Sequence, residues 1–210
     1  STQNKRTRMT AEQMRAEMAR QDEARIKALQ AKIDAVITAN TLLNEYKSQI
    51  RMDVTPDGLQ IQLVDSQNRP MFDSGSALVK PYMRDILRGI GSSLIEVENR
   101  SLAGHTDAVP YSNSERGYSN WELSADRANA SRRELVAAGM PDAKLARVVG
   151  LAASDLLEPD NPKAPANRRI TITVLTREAE ERLLGKTIPI VPAEEWIEEK
   201  SDNPAKGDQR

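Results

Sequence analysis

Between Gly104 and Val136 the chain reads GHTDAVPYSNSERGYSNWELSADRANASRRELV. Asp107 follows a short apolar run that ends in small residues, and Arg127 lies one helical turn beyond Leu123 in a segment with the pattern of a helix. A carboxylate accepts hydrogen bonds from an ammonium group, and a planar guanidinium donates a parallel pair to a carboxylate. Two readings follow. Either Asp107 and Arg127 bridge directly and pin helix to strand, or both face one pocket and hold opposite ends of a zwitterion, each charge-assisted bond contributing about 1.5–3 kcal/mol.

Other chemistries find little support. His105 is the one histidine and there is no cysteine, so nothing completes a metal site beside Asp107. The lack of cysteine also excludes disulfides, and it leaves the compartment open. Ser74 and Ser76 flank Gly75 without the G-x-S-x-G elbow of a serine hydrolase and read as turn residues. No glycine-rich phosphate cradle is present. Asp107 with Glu122 or Asp73 could form the paired carboxylates of a glycosidase, but the spacing selects no pair. A net charge of −1 supplies no basic field for nucleic acid. The chain reads as a binding protein and not an enzyme, with no cofactor and no metal.

Several elements must position these residues. Residues 1–9 are a flexible basic start. Thr10 stands three before Gln13 in a capping-box arrangement, and apolar residues from Met14 to Ile50 recur mostly at intervals of three and four. Residues 10–50 thus read as a linker or partner helix that packs against a partner or docks on the domain; Asn40 and Lys47 interrupt its stripe.

Met52 to Leu63 alternates around the turn Thr55-Pro56-Asp57-Gly58 and predicts a hairpin with one buried face. Pro81 opens a helix with Met83, Ile86, Leu87, Ile90 and Leu94 on its apolar face, and Val97 to Ala103 predicts the strand that delivers His105 to Asp107. A polar loop, Ala108 to Gly117, leads to a helix over 119–138. Its Ser124, Ala128, Ser131 and Leu135 form a small-residue face suited to close packing, with Asn120, Leu123 and Arg127 on the adjoining stripe.

Leu145 to Gly150 and Arg169 to Val174 read as further strands. The order predicts an α/β (α+β) two-layer sandwich, a mixed sheet with helices on one face, over residues 51–176. Residues 177–210 read as a charged, partly disordered tail in which Ile188, Ile190, Val191 and Trp196 are candidates to dock. No run reaches the roughly 18–20 apolar residues of a membrane-spanning helix, and Ser1 opens no signal-peptide pattern.

The motifs GHTD, N-x-x-L-S-x-x-R-A at Asn120, Leu123, Ser124, Arg127 and Ala128, and Asn167-Arg168-Arg169 together resemble the OmpA-like peptidoglycan-binding domain, in matching order over residues 50–176. The string SNWELSADRA, a proline in the loop after GHTD and the helical lead-in are similar to the periplasmic part of MotB-like flagellar stator proteins. The resemblance implies noncovalent binding of the peptidoglycan stem peptide through diaminopimelate, with Asp107 taking its amine and Arg127 its carboxylate. It also implies that Phe72 and Asp73 border the pocket, Thr106 flanks the acid, Asn120 and Leu123 line the helical side, and Arg168 stands beside the site. Asn167 and Arg169 are expected to be structural.

The further implications are a homodimer, a MotA-like partner reached through an inner-membrane segment preceding Ser1, and a role in anchoring the stator against torque for motility. An OmpA- or Pal-type tether between outer membrane and wall is the alternative within the fold, disfavoured by a helical lead-in with neither barrel strands nor a lipidation cysteine. A cell-wall hydrolase is the alternative from another class. Pro110 stands where the common pattern has glycine, and the loop from Asp107 to Arg127 is longer than usual.

Overall fold

The computed structural model describes residues 9–112 and 117–185. Helix α1, Ala11–Ala39, begins with the reciprocal bonds between Thr10 and Gln13 that its sequence predicts. The helix does not run on to residue 50. Asn40 leaves helical geometry and its side-chain oxygen accepts the amides of Leu42 and Leu43, which starts the short α2, Thr41–Glu45, and a 3-10 turn at Lys47–Gln49 follows. A short amide side chain competes for backbone donors in this way, so an interior Asn becomes a cap. Ile26 and Ile33, 1% and 0% exposed, share one apolar cluster with the sheet, so the second half of α1 is built into the core.

Five strands form one mixed sheet: β1 Ile50–Thr55, β2 Gly58–Val64, β3 Arg100–His105, β4 Leu145–Gly150 and β5 Arg169–Leu175, in the order β1-β2-β5-β3-β4. Only β3 and β4 run parallel. The predicted strand at 97–103 starts three residues later than expected. Val97 closes a turn on Leu94, and Asn99 takes a left-handed conformation with φ 59 before the strand begins.

Alternation gives the sheet two chemically distinct faces. Ile61, Ile172 and Leu102 stand in register on the apolar face. On the other, Gln60 pairs with Thr173 and Gln62 with Thr171, while Ser101 and Ala103 continue the two rows across β3.

Helices α3, Pro81–Ser93, and α4, Asn120–Ala137, cover the apolar face with α1. Close approach of α4 depends on two glycines: a Cβ on Gly104 would overlap the Ser124 carbonyl, and one on Gly150 would lie 2.5 Å from the Ala125 amide nitrogen. The segment beyond Thr176 opens as helix α5, Arg177–Leu184. It is held by Asp22 on α1, which accepts the Arg177 amide at 2.7 Å, and by an ion pair between Arg182 and Asp57. Residues 1–8 and the apolar residues Ile188, Ile190, Val191 and Trp196 lie outside the described residues. No helix among the described residues is long and apolar enough to cross a membrane.

Candidate functional site

A cavity of about 540 Å³ opens where the carboxyl end of β3 meets the first turns of α4 and the turn after Phe72. Asp107, Arg127, Thr106, Asn120, Leu123, Phe72, Asp73 and Arg168 all line it.

The site begins with the end of β3. Leu151 donates its amide to Gly104, Thr106 to the Ala152 carbonyl and Ala108 to the Pro162 carbonyl, so the loop after β4 fixes the backbone on both sides of Asp107. Asp107 is 7% exposed, and each carboxylate oxygen accepts one bond: Oδ1 from the Val109 amide at 2.9 Å, and Oδ2 from Arg168 Nη1 at 2.6 Å. Arg168 also donates from Nε to Asp65 Oδ2 at 2.8 Å. Burial pulls the Arg168 guanidinium down, but its bonds to Asp65 and Asp107 outweigh this and leave it raised. Burial pushes the Asp65 carboxyl up against the opposing pull of Arg168 and the Met71 amide.

Arg127 does not touch Asp107. Its Nε donates to the Ser76 carbonyl at 2.8 Å and its Nη2 to the Asp73 carbonyl at 3.1 Å, while the guanidinium stacks over the Phe72 ring at 4.9 Å. The direct Asp107–Arg127 bridge, one of the two readings of the pair, is therefore not formed; the acid is bridged by Arg168. Among the described residues Arg127 makes no ion pair with a carboxylate, although it is 7% exposed. Burial holds its pKa below the usual arginine value, partly offset by Asp65. Five N–H donors in a guanidinium, less the two engaged, leave donors for a ligand.

The remaining residues shape the walls. Asn120 donates to the Val109 carbonyl at 2.9 Å and so holds the loop after Asp107 against α4. Helix α4 starts at Ser119, whose amide and hydroxyl both bond Glu122, consistent with the lowered Glu122 carboxyl. The Asp73 carboxylate pairs outward with Lys80 at 2.9 Å, so Asp73 serves Arg127 through its carbonyl. Thr106 turns its hydroxyl to the Asp107 carbonyl, and Phe72 and Leu123 supply apolar wall, 5% and 4% exposed.

Asn167 is buried and binds the 158–161 loop through Glu158 and Asn161, and Arg169 bonds Gln62 and Asp155. His105 faces the opposite side of the sheet. Burial and the neighbouring Arg169 hold its pKa down to about 4, so the ring is neutral near pH 7.

The residue missed by sequence reasoning is Asp65. It stands at the end of β2 and its amide bonds the Arg168 carbonyl at 3.0 Å, extending the β2–β5 ladder by one step. The available signal was an acid closing a strand antiparallel to one that starts with two arginines. Gly75 and Tyr111 also line the cavity; Tyr111 lies over Gly75, whose φ of +66 suits glycine.

A mixed sheet, helices over its apolar face and a strand-end cavity lined by three acids and two arginines define the class. Residues 71–169 match the OmpA family, and the chain belongs to it. Motility protein B of Escherichia coli (strain K12) is 49% identical over 166 residues, 79% of this chain and 54% of that protein, so the chain spans about half the length of that relative. The putative truncated flagellar export/assembly protein LafU of the same strain is 40% identical over 147 residues, 69% of each chain. Among solved structures, a putative MotB like protein from Desulfovibrio vulgaris superposes with a TM-score of 0.61 at 22% identity, covering 76% of this chain and 96% of that one, a likeness of fold.

Proposed function

We propose that this chain is the peptidoglycan-binding domain of a flagellar stator protein and anchors the stator to the cell wall without catalysis. The observation that carries the binding chemistry is Arg127: a buried cation, fixed by two backbone carbonyls, with no carboxylate partner among the described residues. A ligand carboxylate at this position would complete its bonding. Opposite it, the Asp107 carboxylate is positioned to share its oxygens with an ammonium group. Asp65 and Asp107 balance the two arginines and the third acid, Asp73, is paired with Lys80, so the lining favours a ligand with both charges and no net one. Diaminopimelate in a stem peptide carries an amine and a carboxylate on one carbon, which fits this demand.

The stator assignment draws on the similarity to motility protein B. Peptidoglycan lies outside the inner membrane, so the domain works in the periplasm, tethered by a membrane segment that also meets a MotA-like subunit. A homodimer would present two sites to one polymer and raise avidity without new contacts.

Sedimentation with purified sacculi tests the reading. The protein is expected to pellet with intact sacculi, to release no soluble muropeptides, and to be displaced by a diaminopimelate-containing stem peptide. Release of muropeptides would establish a hydrolase, and failure to pellet would remove the anchor.

A further inference from the structure

The sheet face opposite the helices carries a second cavity, of about 370 Å³, that the stem-peptide reading does not use. Its floor is recessed: Ser101, Thr171 and Thr173 are 5–9% exposed. Apolar side chains join these hydroxyls in the lining, with Leu151, Leu156 and Leu157 from the loop after β4, Val149 from β4 itself and Leu183 from α5. Both acids of the lining are paired, Asp57 with Arg182 and Asp155 with Arg169. Arg147 is exposed, donates from Nε to Ser101 at 2.9 Å, and makes no ion pair among the described residues. The cavity thus matches an occupant that is apolar along its length and negative at the β4 edge.

The next segment of the chain has this order. Helix α5 puts Leu183 in the cavity lining and ends at Gly185, whose left-handed φ of 63 turns the chain out of the helix. Residues 186–199 then read KTIPIVPAEEWIEE, an apolar run followed by four glutamates. Ile188 and Val191 each precede a proline, which biases them to extended backbone. In that geometry Ile188 and Ile190 share one side. Pro189 and Pro192 have no N–H to give to a strand edge, so such a segment pairs poorly with the outer edges of β1 and β4 and packs better through its side chains on a face.

The span agrees. Strands β2 and β4 stand three strand spacings apart in the sheet, about 14 Å. An extended chain advances about 3.3 Å per residue, so residues 186–191 cover roughly 20 Å, enough to cross from α5 to β4 and bring Glu194 and Glu195 to Arg147. The other groove beside α5, of about 700 Å³ and shared with the first half of α1, fits less well. Five acids and two arginines line it, a net negative charge that repels a glutamate-rich segment.

We propose that residues 186–199 dock across the polar sheet face of their own domain, with Ile188 and Ile190 against Val149 and the leucines of the lining, and Glu194 and Glu195 meeting Arg147.

The chain has no cysteine, so Val191→Cys carries a single nitroxide label, on the side of the segment turned away from the sheet. In the full chain the label is expected to weaken the NMR amide signals of Ala103, Val149 and Leu157 severalfold relative to its reduced form, and to leave those of Ala16 and Ala19, in the groove beside α1, nearly unchanged. Glu194→Lys with Glu195→Lys, two changes outside the described residues, is expected to restore most of the lost intensity. Adding Arg147→Glu to that pair reverses both charges and is expected to weaken the signals again.

Full intensity at Ala103, Val149 and Leu157 overturns the docking, and so does strongest weakening at Ala16 and Ala19, which places the segment in the acidic groove. Equal weakening when nitroxide and isotope label sit on different molecules overturns docking within one chain. Intensities that the lysine substitutions leave unchanged overturn the pairing with Arg147.

Discussion

Replacing Arg127 by alanine separates the guanidinium's two tasks. In the free protein it bonds the carbonyls of Ser76 and Asp73 at 2.8 and 3.1 Å and stacks on Phe72. Losing these contacts while also removing a buried charge gives opposing effects, so a stability loss of about 1–3 kcal/mol is expected by chemical denaturation. For the ligand no such offset exists. The loss of a bidentate carboxylate grip is expected to cost about 2–3 kcal/mol, roughly 30- to 150-fold in Kd by calorimetry with a diaminopimelate stem peptide.

The same loss should follow when the ligand is changed instead, with lysine in place of diaminopimelate to remove the carboxylate. Arg127→Ala should then bind both peptides alike, because the partner that distinguishes them is gone. A folded Arg127→Ala protein that still prefers diaminopimelate by the wild-type factor would refute the assignment of Arg127 to the carboxylate.

Three further outcomes are expected. The folded His105 ring titrates near 4 against 6.5 when unfolded, so its contribution to stability is complete above pH 6.5 and is lost as pH falls towards 4. The loss is roughly 3 kcal/mol at most, and a His105→Gln protein should show a shallower decline than wild type in denaturation at pH 7 and pH 4.5. Gly104→Ala forces a methyl group into the Ser124 carbonyl and should lower stability by about 3 kcal/mol or more, with loss of sacculus binding as β3 and α4 separate. Ile33→Ala, in the buried half of α1, should cost about 2–5 kcal/mol if that helix belongs to the core, against almost nothing for a solvated linker.

Local chemistry was the legible part of this molecule. The Thr10–Gln13 capping box, the small face of α4 and the alternation of β2 and β5 each depend on neighbours within a few residues, and each is formed. The glycine of GHTD is explained by the Ser124 carbonyl that approaches it. The break at Asn40 was also local, but a side chain that caps and one that merely interrupts a stripe look alike until the backbone is placed.

What could not be read was long-range pairing. Asp107 and Arg127 lie near each other in sequence and in the fold, yet the bond to the acid comes from Arg168, which arrives with the last strand. Asp65 reaches Arg168 across 103 positions, and only the register of β2 on β5 brings the two together.

That pairing bears on how the site would select its ligand. With Arg168 held from behind by Asp65, the carboxylate keeps a charged partner, and an incoming ammonium must share Oδ2 or approach Oδ1 beside the Val109 amide. The amine contact is thus weakened relative to an unpaired acid, and a simple amine gains little. Arg127 stands in the opposite condition, buried and lacking a carboxylate among the described residues, so the carboxylate end of a ligand gains more. Discrimination therefore arises chiefly from what is left unpaired: a ligand that fills the amine position alone leaves Arg127 as it was, and only a ligand with both groups completes the cavity.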